Sequence, residues 1–468
     1  MQLNQSTRRL QWLLWGLVVW SGLLFGRLVW LQVFRHDHYL AVAENQQQKE
    51  VELPAPRGSI LDRSGQPLAM TLEADTVVVN PLKLEDLPQA ARLLANALHL
   101  DRELLLRRMV NAKARKSQFL RVARKLLPEE SQPARELKLV GLEFRKEMLR
   151  YYPRQTLAAH VLGSTGFVNT EDVAERGNGG MELAFEKDLG GISGKARLYT
   201  DSRQDSYDRQ VLSDPVPGAT LTLTLDPNLQ FRAEQELAAA VEASGAEAGS
   251  VVVLDPHNGD VLAMASYPTF NPNLPPSRGE DALRARQNLA VSRTFEPGSV
   301  FKVITVAAAM EKTNLTPDTM IDCGNGILNL YGRVIHDHDP YRALSVADVL
   351  AHSSNIGAIR IALATGNDTF YDYEKRFGFG AKTGLPLPGE SAGILWPVDK
   401  WTKSSIGSMA MGHEIGVTSM QLARAGAVIA NGGLLIKPRL VLSRQRAGEE
   451  KETFSAEPGV RALEPETV

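Results

Sequence analysis

Cysteine is almost missing from this chain. Cys323 is the only one among 468 residues, which excludes an intramolecular disulfide and a zinc site built from several thiolates. An excess of either charge is missing too: 52 basic residues against 54 acidic ones leave a formal net charge of -2. No stripe of interleaved basic and aromatic residues stands out, so nucleic-acid binding has no support. There is no internal repeat and no long low-complexity segment. What remains is ordinary globular material, 43% hydrophobic and 23% charged, in a chain too long for one domain.

Long apolar runs are also scarce, and the one that exists lies at the N-terminus. Residues 10–26 (LQWLLWGLVVWSGLLFG) are apolar apart from Gln11 and Ser21, and residues 28–34 prolong the run past Arg27. Roughly 20 apolar residues cross a bilayer as a helix. Arg8 and Arg9 precede the run with no acidic residue, and Trp12, Trp15 and Trp30 suit its interfaces. The positive-inside tendency then places residues 1–9 in the cytoplasm and the rest of the chain outside. The competing reading is a cleaved signal peptide ending at Ala41-Val42-Ala43. The charged stretch Arg35-His36-Asp37-His38 intervenes and the run is long for a signal core, so residues 10–34 are read as an uncleaved anchor.

Beyond the anchor, residues 41–50 (AVAENQQQKE) read as a helical stalk ended by Pro54 and Pro56. Arg57-Gly58-Ser59-Ile60-Leu61-Asp62-Arg63-Ser64-Gly65 reads as a short strand running into a turn. Residues 85–150 carry helical periodicity, strongest at 87–98 and 102–112, with charged faces read as solvated helix surface. A second region opens near Val216. Residues 219–225 (ATLTLTL) alternate as a half-buried strand, 229–243 form a helix, and 250–254 with 261–265 flank an Asn258-Gly259 hairpin turn. Strand, helix, hairpin and further helices indicate an α+β domain with an antiparallel sheet.

Chemistry concentrates at Phe295-Glu296-Pro297-Gly298-Ser299-Val300-Phe301-Lys302, which leads into an apolar helix over 303–310. Pro and Gly turn the chain into the helix, and Ser299 and Lys302 share one face of its first turn. A serine hydroxyl needs a neighbouring base to become a nucleophile, and a lysine with a lowered pKa can be that base. Residues 344–352 (LSVADVLAH) read as a helix capped by Ser345; it ends in Ser353-Ser354-Asn355, after which helical spacing resumes. A Ser-x-Asn loop between two helices can aim a hydroxyl and an amide into a cleft. Without the Ser-x-x-Lys helix the same residues would read as two helix caps. His336-Asp337-His338-Asp339 lacks a second ligand cluster at metal-binding spacing and reads as a solvated loop.

Ser-x-x-Lys followed by Ser-x-Asn resembles the paired signature of the penicillin-binding proteins, and the resemblance to class B members covers nearly the whole chain. Pro56 to Gly65 resembles the opening of their non-catalytic pedestal, and Gly179-Gly180-Met181-Glu182 its glycine-rich element. Phe377-Gly378-Phe379-Gly380, Leu387-Pro388-Gly389-Glu390 and Gly412-His413-Glu414-Ile415-Gly416 follow patterns of the transpeptidase domain. No glycosyltransferase-like domain stands before the pedestal, unlike class A. The resemblance implies an anchor over 10–34, a mixed α/β pedestal over 35–215, and over 216–468 a serine transpeptidase/β-lactamase-like domain, its antiparallel sheet flanked by helices. It implies that Ser299 attacks the D-Ala-D-Ala carbonyl of a stem peptide, with Lys302 as base, Ser353 as proton relay and Asn355 holding the lysine and a substrate amide. No cofactor or metal is implied. β-Lactams would be trapped at the same serine, and a membrane glycosyltransferase and division proteins of the inner membrane are the implied partners.

The family's third motif, Lys-Thr/Ser-Gly on a sheet strand, is where this chain departs. Lys382-Thr383-Gly384 lies 27 residues after Asn355 among Pro386 and Pro388, which argue against a strand. The family's strand follows a segment like Glu464-Pro465-Glu466-Thr467, so the domain is expected to be incomplete at its C-terminus. Four functions stay open: a septal D,D-transpeptidase, favoured by the 412–416 stretch and the Cys323-Gly324 region; an elongation-type transpeptidase; a catalytically impaired scaffold of the division complex; and a β-lactamase or penicillin sensor.

Overall fold

The computed structural model describes residues 3–37, 39, 48–167, 175–200, 206–275 and 279–468. The chain divides into two compact units, one of residues 1–55 and 192–216, the other of 56–191 and 217–468.

In the first unit the helix Leu3–Val29 continues through a π-helical turn, Trp30–Phe34. The span Leu10–Phe34 is therefore helical throughout, and none of it is buried. Its 25 residues rise about 38 Å, enough to cross a hydrocarbon core of about 30 Å. The guanidiniums of Arg27 and Arg35 lie 4.4 and 5.0 Å from the Trp30 ring, a cationic and aromatic cluster suited to a membrane interface. Of the expected helical stalk, residues 41–47, with the Ala41-Val42-Ala43 site, lie outside the described residues. Residues 48–50 correct the rest: they open a strand, Gln48–Leu53, which pairs antiparallel with Gly194–Thr200, itself paired with Ser206–Ser213. Val51 and Leu53 alternate with charged neighbours, and pairing with residues 194–199 overrides the local helical composition.

In the second unit, Pro67–Val79 pairs with both Leu120–Leu126 and Leu142–Tyr151. The helices Leu87–Leu98, Arg102–Ala114 and Pro128–Glu136 bury their apolar stripes with Val77, Val79 and Val122. Asp86 and Asp101 cap the first two helices, each accepting a hydrogen bond from the backbone N–H three residues on. Ile60–Leu61 joins the same sheet and runs parallel to Thr220–Leu223, so a strand assigned by sequence to the catalytic region lies beside the Arg57 to Gly65 segment. Glu182 is fully buried between Arg57 Nε (3.0 Å), Arg150 Nε (2.6 Å) and the Tyr152 hydroxyl (3.3 Å). Two guanidiniums and a phenol satisfy a carboxylate that would otherwise be costly to bury. Gly180, at φ +52, lets the chain pass where a Cβ would sit 2.4 Å from the Val161 carbonyl.

The catalytic region contains the hairpin foreseen from Asn258-Gly259, with Gly249–Leu254 paired to Val261–Tyr267. The helices Pro227–Ser244 and Ser419–Ala430 flank it. Beside the hairpin, the helices Lys302–Lys312, Asn355–Thr365 and Ser405–Ala410 pack together. Phe301, Phe370, Tyr373, Phe377 and Phe379 belong to the apolar core beneath them. This core fixes the end of the helix on which the serine sits.

Candidate active site

Ser299 stands in a turn held from three sides. Phe295 and Val417 exchange both backbone hydrogen bonds, at 3.0 and 2.9 Å, and the Gly298 N–H donates to the Gly412 carbonyl at 3.1 Å. Gly412 must be glycine here, because a Cβ would lie 2.2 Å from the Gly298 carbonyl. The Glu296 carboxylate accepts the Glu414 N–H at 2.9 Å and lies 2.9 Å from His413 Nδ1. Those contacts hold Glu296 below the usual carboxylate range and support Glu414 at φ +60, an uncommon conformation for a non-glycine residue. Glu296 and His413 thus act as a clamp on the turn, a role that sequence reading missed although both lie in recognised segments.

Gly298–Phe301 forms a 3-10 turn before the α-helix begins at Lys302, where sequence led us to expect a first α-helical turn. With three residues per turn, positions i and i+3 eclipse, so Ser299 and Lys302 stack on one side. Between them Phe301 is fully buried, its ring 5.2 Å from that of Phe379 and 6.4 Å from that of Phe370. That anchor leaves Ser299 exposed and Lys302 only 1% exposed.

The Lys302 amine donates to three oxygens of the Ser-x-Asn loop: the Ser353 carbonyl at 2.5 Å, Ser353 Oγ at 3.0 Å and Asn355 Oδ1 at 2.8 Å. An ammonium has three donors, so this set matches its full capacity. Burial pushes the Lys302 pKa down to about 8, against the opposing pull of the Asp337 charge. Structure therefore brings Lys302, Ser353 and Asn355 into one hydrogen-bonded cluster, with Ser299 three residues away at the start of the same helix. Among the described residues none hydrogen-bonds to the Ser299 hydroxyl.

The Ser-x-Asn loop has its own support. Ser345 caps Val346–Ala351, Ser353 turns at φ +54, and Ser354 Oγ accepts the Gly357 N–H at 2.9 Å to cap Asn355–Thr365. Asp337 completes the turn and corrects the reading of residues 336–339 as a solvated loop at that one position, since His336, His338 and Asp339 are exposed. Its Oδ1 accepts the N–H groups of Asn355 (2.5 Å) and Ile356 (3.0 Å), and its Oδ2 accepts the Ser354 hydroxyl at 2.6 Å. Asn355 Nδ2 donates to the His336 carbonyl at 3.1 Å. No local signature announces this cap: the carboxylate comes from 17 to 19 residues upstream, where the strand pair Ile327–Leu330 and Arg333–His336 brings it over the helix.

Lys382-Thr383-Gly384 lies in a loop, as Pro386 and Pro388 required. Thr383 donates its N–H to Glu390 Oε1 at 2.7 Å and its hydroxyl to the same oxygen, and the Gly384 N–H reaches Glu390 Oε2 at 3.3 Å. The triplet closes a loop on Glu390; it is not a strand edge.

Comparison with known proteins agrees with this geometry. Residues 249–465 match the penicillin binding protein transpeptidase domain, and 52–223 the penicillin-binding protein dimerisation domain. A probable peptidoglycan D,D-transpeptidase, PbpC of Pseudomonas aeruginosa, is 34% identical over 88% of this chain and 71% of its own length. The peptidoglycan D,D-transpeptidase FtsI of Escherichia coli is 32% identical over 88% and 68%. Among solved structures, penicillin binding protein 3 of Mycobacterium tuberculosis in complex with aztreonam superposes with a TM-score of 0.66 at 27% identity, covering 89% of this chain and 73% of that one. This chain, a dimerisation domain and a transpeptidase domain behind an apolar N-terminal helix, belongs to the class B penicillin-binding proteins.

Proposed function

We propose that this protein is a membrane-anchored peptidoglycan D,D-transpeptidase, working through an acyl-enzyme on Ser299 in septal wall synthesis. The observation that carries the reading is a lysine buried to 1% exposure, hydrogen-bonded to Ser353 and Asn355, one turn from an exposed serine. With a pKa of about 8, about one Lys302 in ten is neutral at pH 7 and able to accept the Ser299 proton. Ser299 Oγ then bonds to the carbonyl carbon of the penultimate D-alanine. The Ser299 backbone N–H is one donor to the oxyanion. Ser353, 3.0 Å from the Lys302 amine, relays the proton to the departing nitrogen, the C–N bond breaks and D-alanine leaves. An amine of a neighbouring stem peptide attacks the ester, restoring Ser299 and forming the cross-link. A β-lactam would acylate Ser299 by the same first step.

The septal assignment is supported by the likeness to FtsI of Escherichia coli. Arg8 and Arg9 support placing residues 1–9 in the cytoplasm and the catalytic region outside the inner membrane. A membrane glycosyltransferase and division proteins are the partners such a role requires. A second reading, a division scaffold with weak catalysis, draws on one observation: Glu390 occupies the hydroxyl and amide of the Lys382 triplet, so that loop does not supply the family's carboxylate-binding strand. Fluorescent penicillin separates the two. The transpeptidase reading expects covalent label that disappears in Ser299→Ala and slows by orders of magnitude in Lys302→Ala. Saturating penicillin that leaves no label on the chain, even with a relative's Lys-Thr-Gly strand appended, would favour the scaffold.

A further inference from the structure

Along the sequence, the charges of residues 102–125 look like solvated surface, but the fold gathers them into a patch. Nine of these residues are basic and only Glu103 is acidic, in a chain whose net charge is -2; Arg124 and Lys125 are paired with Glu147 and Glu175, which leaves the charge on the helix and the turn after it. Arg107, Arg108, Arg115 and Lys116 are exposed at the middle of the helix Arg102–Ala114 and on the turn after it. Among the described residues, none of the four has a carboxylate within ion-pair distance. Arg108 Nη2 donates to the Arg121 carbonyl at 2.5 Å, which ties the helix to the following strand. The guanidiniums of Arg121 and Arg145 lie 6.0 and 4.9 Å from the ring of Phe119, itself 41% exposed, and Arg145 is also 3.6 Å from the Glu143 carboxylate, so it borders the patch and adds no unpaired charge to it.

Several other arginines of this protein are neutralised: Arg135 by Asp75, Arg150 by Glu182, Arg439 by Asp260. Unpaired like charges gathered on one surface repel one another and contribute nothing to the fold. Their use is toward an anionic partner. An exposed aromatic ring among them also suits the apolar face of a sugar.

We propose that this patch binds the glycan–peptide polymer on which the Ser299 site acts, through carboxylates of its stem peptides. The proposal rests on the transpeptidase reading, which brings a polymer with a free carboxylate on each uncross-linked stem peptide within reach. The helix Arg102–Ala114 is about 20 Å long, so several weak charge pairs along it can add on one strand. Binding through exposed charges is screened by salt.

The test is co-sedimentation of the full chain, in detergent, with purified peptidoglycan sacculi. Arg107→Glu/Arg115→Glu/Lys116→Glu changes three exposed side chains for which the fold shows no hydrogen bond, and an unaltered melting temperature will certify the variant. We expect it to bind sacculi about tenfold or more weakly. Wild-type binding should fall to the variant's level in salt of about 0.3 M, and on sacculi whose carboxylates have been converted to neutral amides. A variant that sediments like wild type, or amidated sacculi that bind undiminished, would overturn the proposal. So would a loss seen on phosphatidylglycerol vesicles and not on sacculi, because the patch would then face a membrane. Penicillin labelling of Ser299 in the same wild-type protein reports on the transpeptidase site separately, so failure of the patch and failure of the site give different results.

Discussion

Among single residues, the proposed mechanism turns on Lys302 and on the Asp337 charge that acts on it. Acylation that uses neutral Lys302 should rise with pH through about 8 and level off above it. The Asp337 charge favours the ammonium, so Asp337→Asn should move that midpoint to lower pH. The same substitution weakens the cap on Ser354, Asn355 and Ile356, and should cost about 1–2 kcal/mol of stability. Stopped-flow acylation across pH, with urea melts of both proteins, checks the two effects; a midpoint that stays put or rises would remove Asp337 from the account. The meeting of Lys302, Ser353 and Asn355 beside Ser299 was legible because the two motifs are short local spacings. Asp337 was not, since its partners lie 17 to 19 residues further along the chain and the local sequence shows only His-Asp-His-Asp.

Elements show where pattern reading holds and where it stops. The helix Leu87–Leu98 and the Gly249–Leu254/Val261–Tyr267 hairpin follow from period and turn chemistry, and the Lys382 loop from its prolines. Residues 48–50 fell the other way, because their strand depends on partners nearly 150 residues on. Lys382→Ala should change stability by no more than about 0.5 kcal/mol and leave the acylation rate nearly unchanged. A large rate loss would make that loop part of the catalytic cleft. In the helix Asn367–Arg376, Glu374 is fully buried, and among the described residues neither of its oxygens has a hydrogen-bond partner. Burial raises its pKa well above the ordinary 4.5, so the folded chain keeps a proton that the unfolded chain loses. Its contribution therefore falls as pH rises above 4.5 and continues to fall until the folded group ionises. Glu374→Leu should flatten that slope and raise stability at pH 7 by about 1–3 kcal/mol. Denaturant titrations at pH 5 and about pH 7 read both, and an unchanged slope would show that the carboxyl has a partner.

Across the whole molecule, the proposed function joins the Ser299 site to a membrane anchor at Leu10–Phe34. A reporter active only outside the cytoplasm, fused after Val216, should work, and the protein should stay membrane-bound at full length. Release of a mature chain starting near Glu44 would make the apolar run a signal peptide. The tether matters less than the acylation it serves, and the most direct measurement is the mass of the intact chain after long incubation with penicillin, followed by peptide mapping of the adduct. One adduct is expected, on Ser299, forming faster as pH rises toward 8 and absent from Ser299→Ala. An adduct on another residue, or one undiminished in Ser299→Ala, would contradict the proposed function.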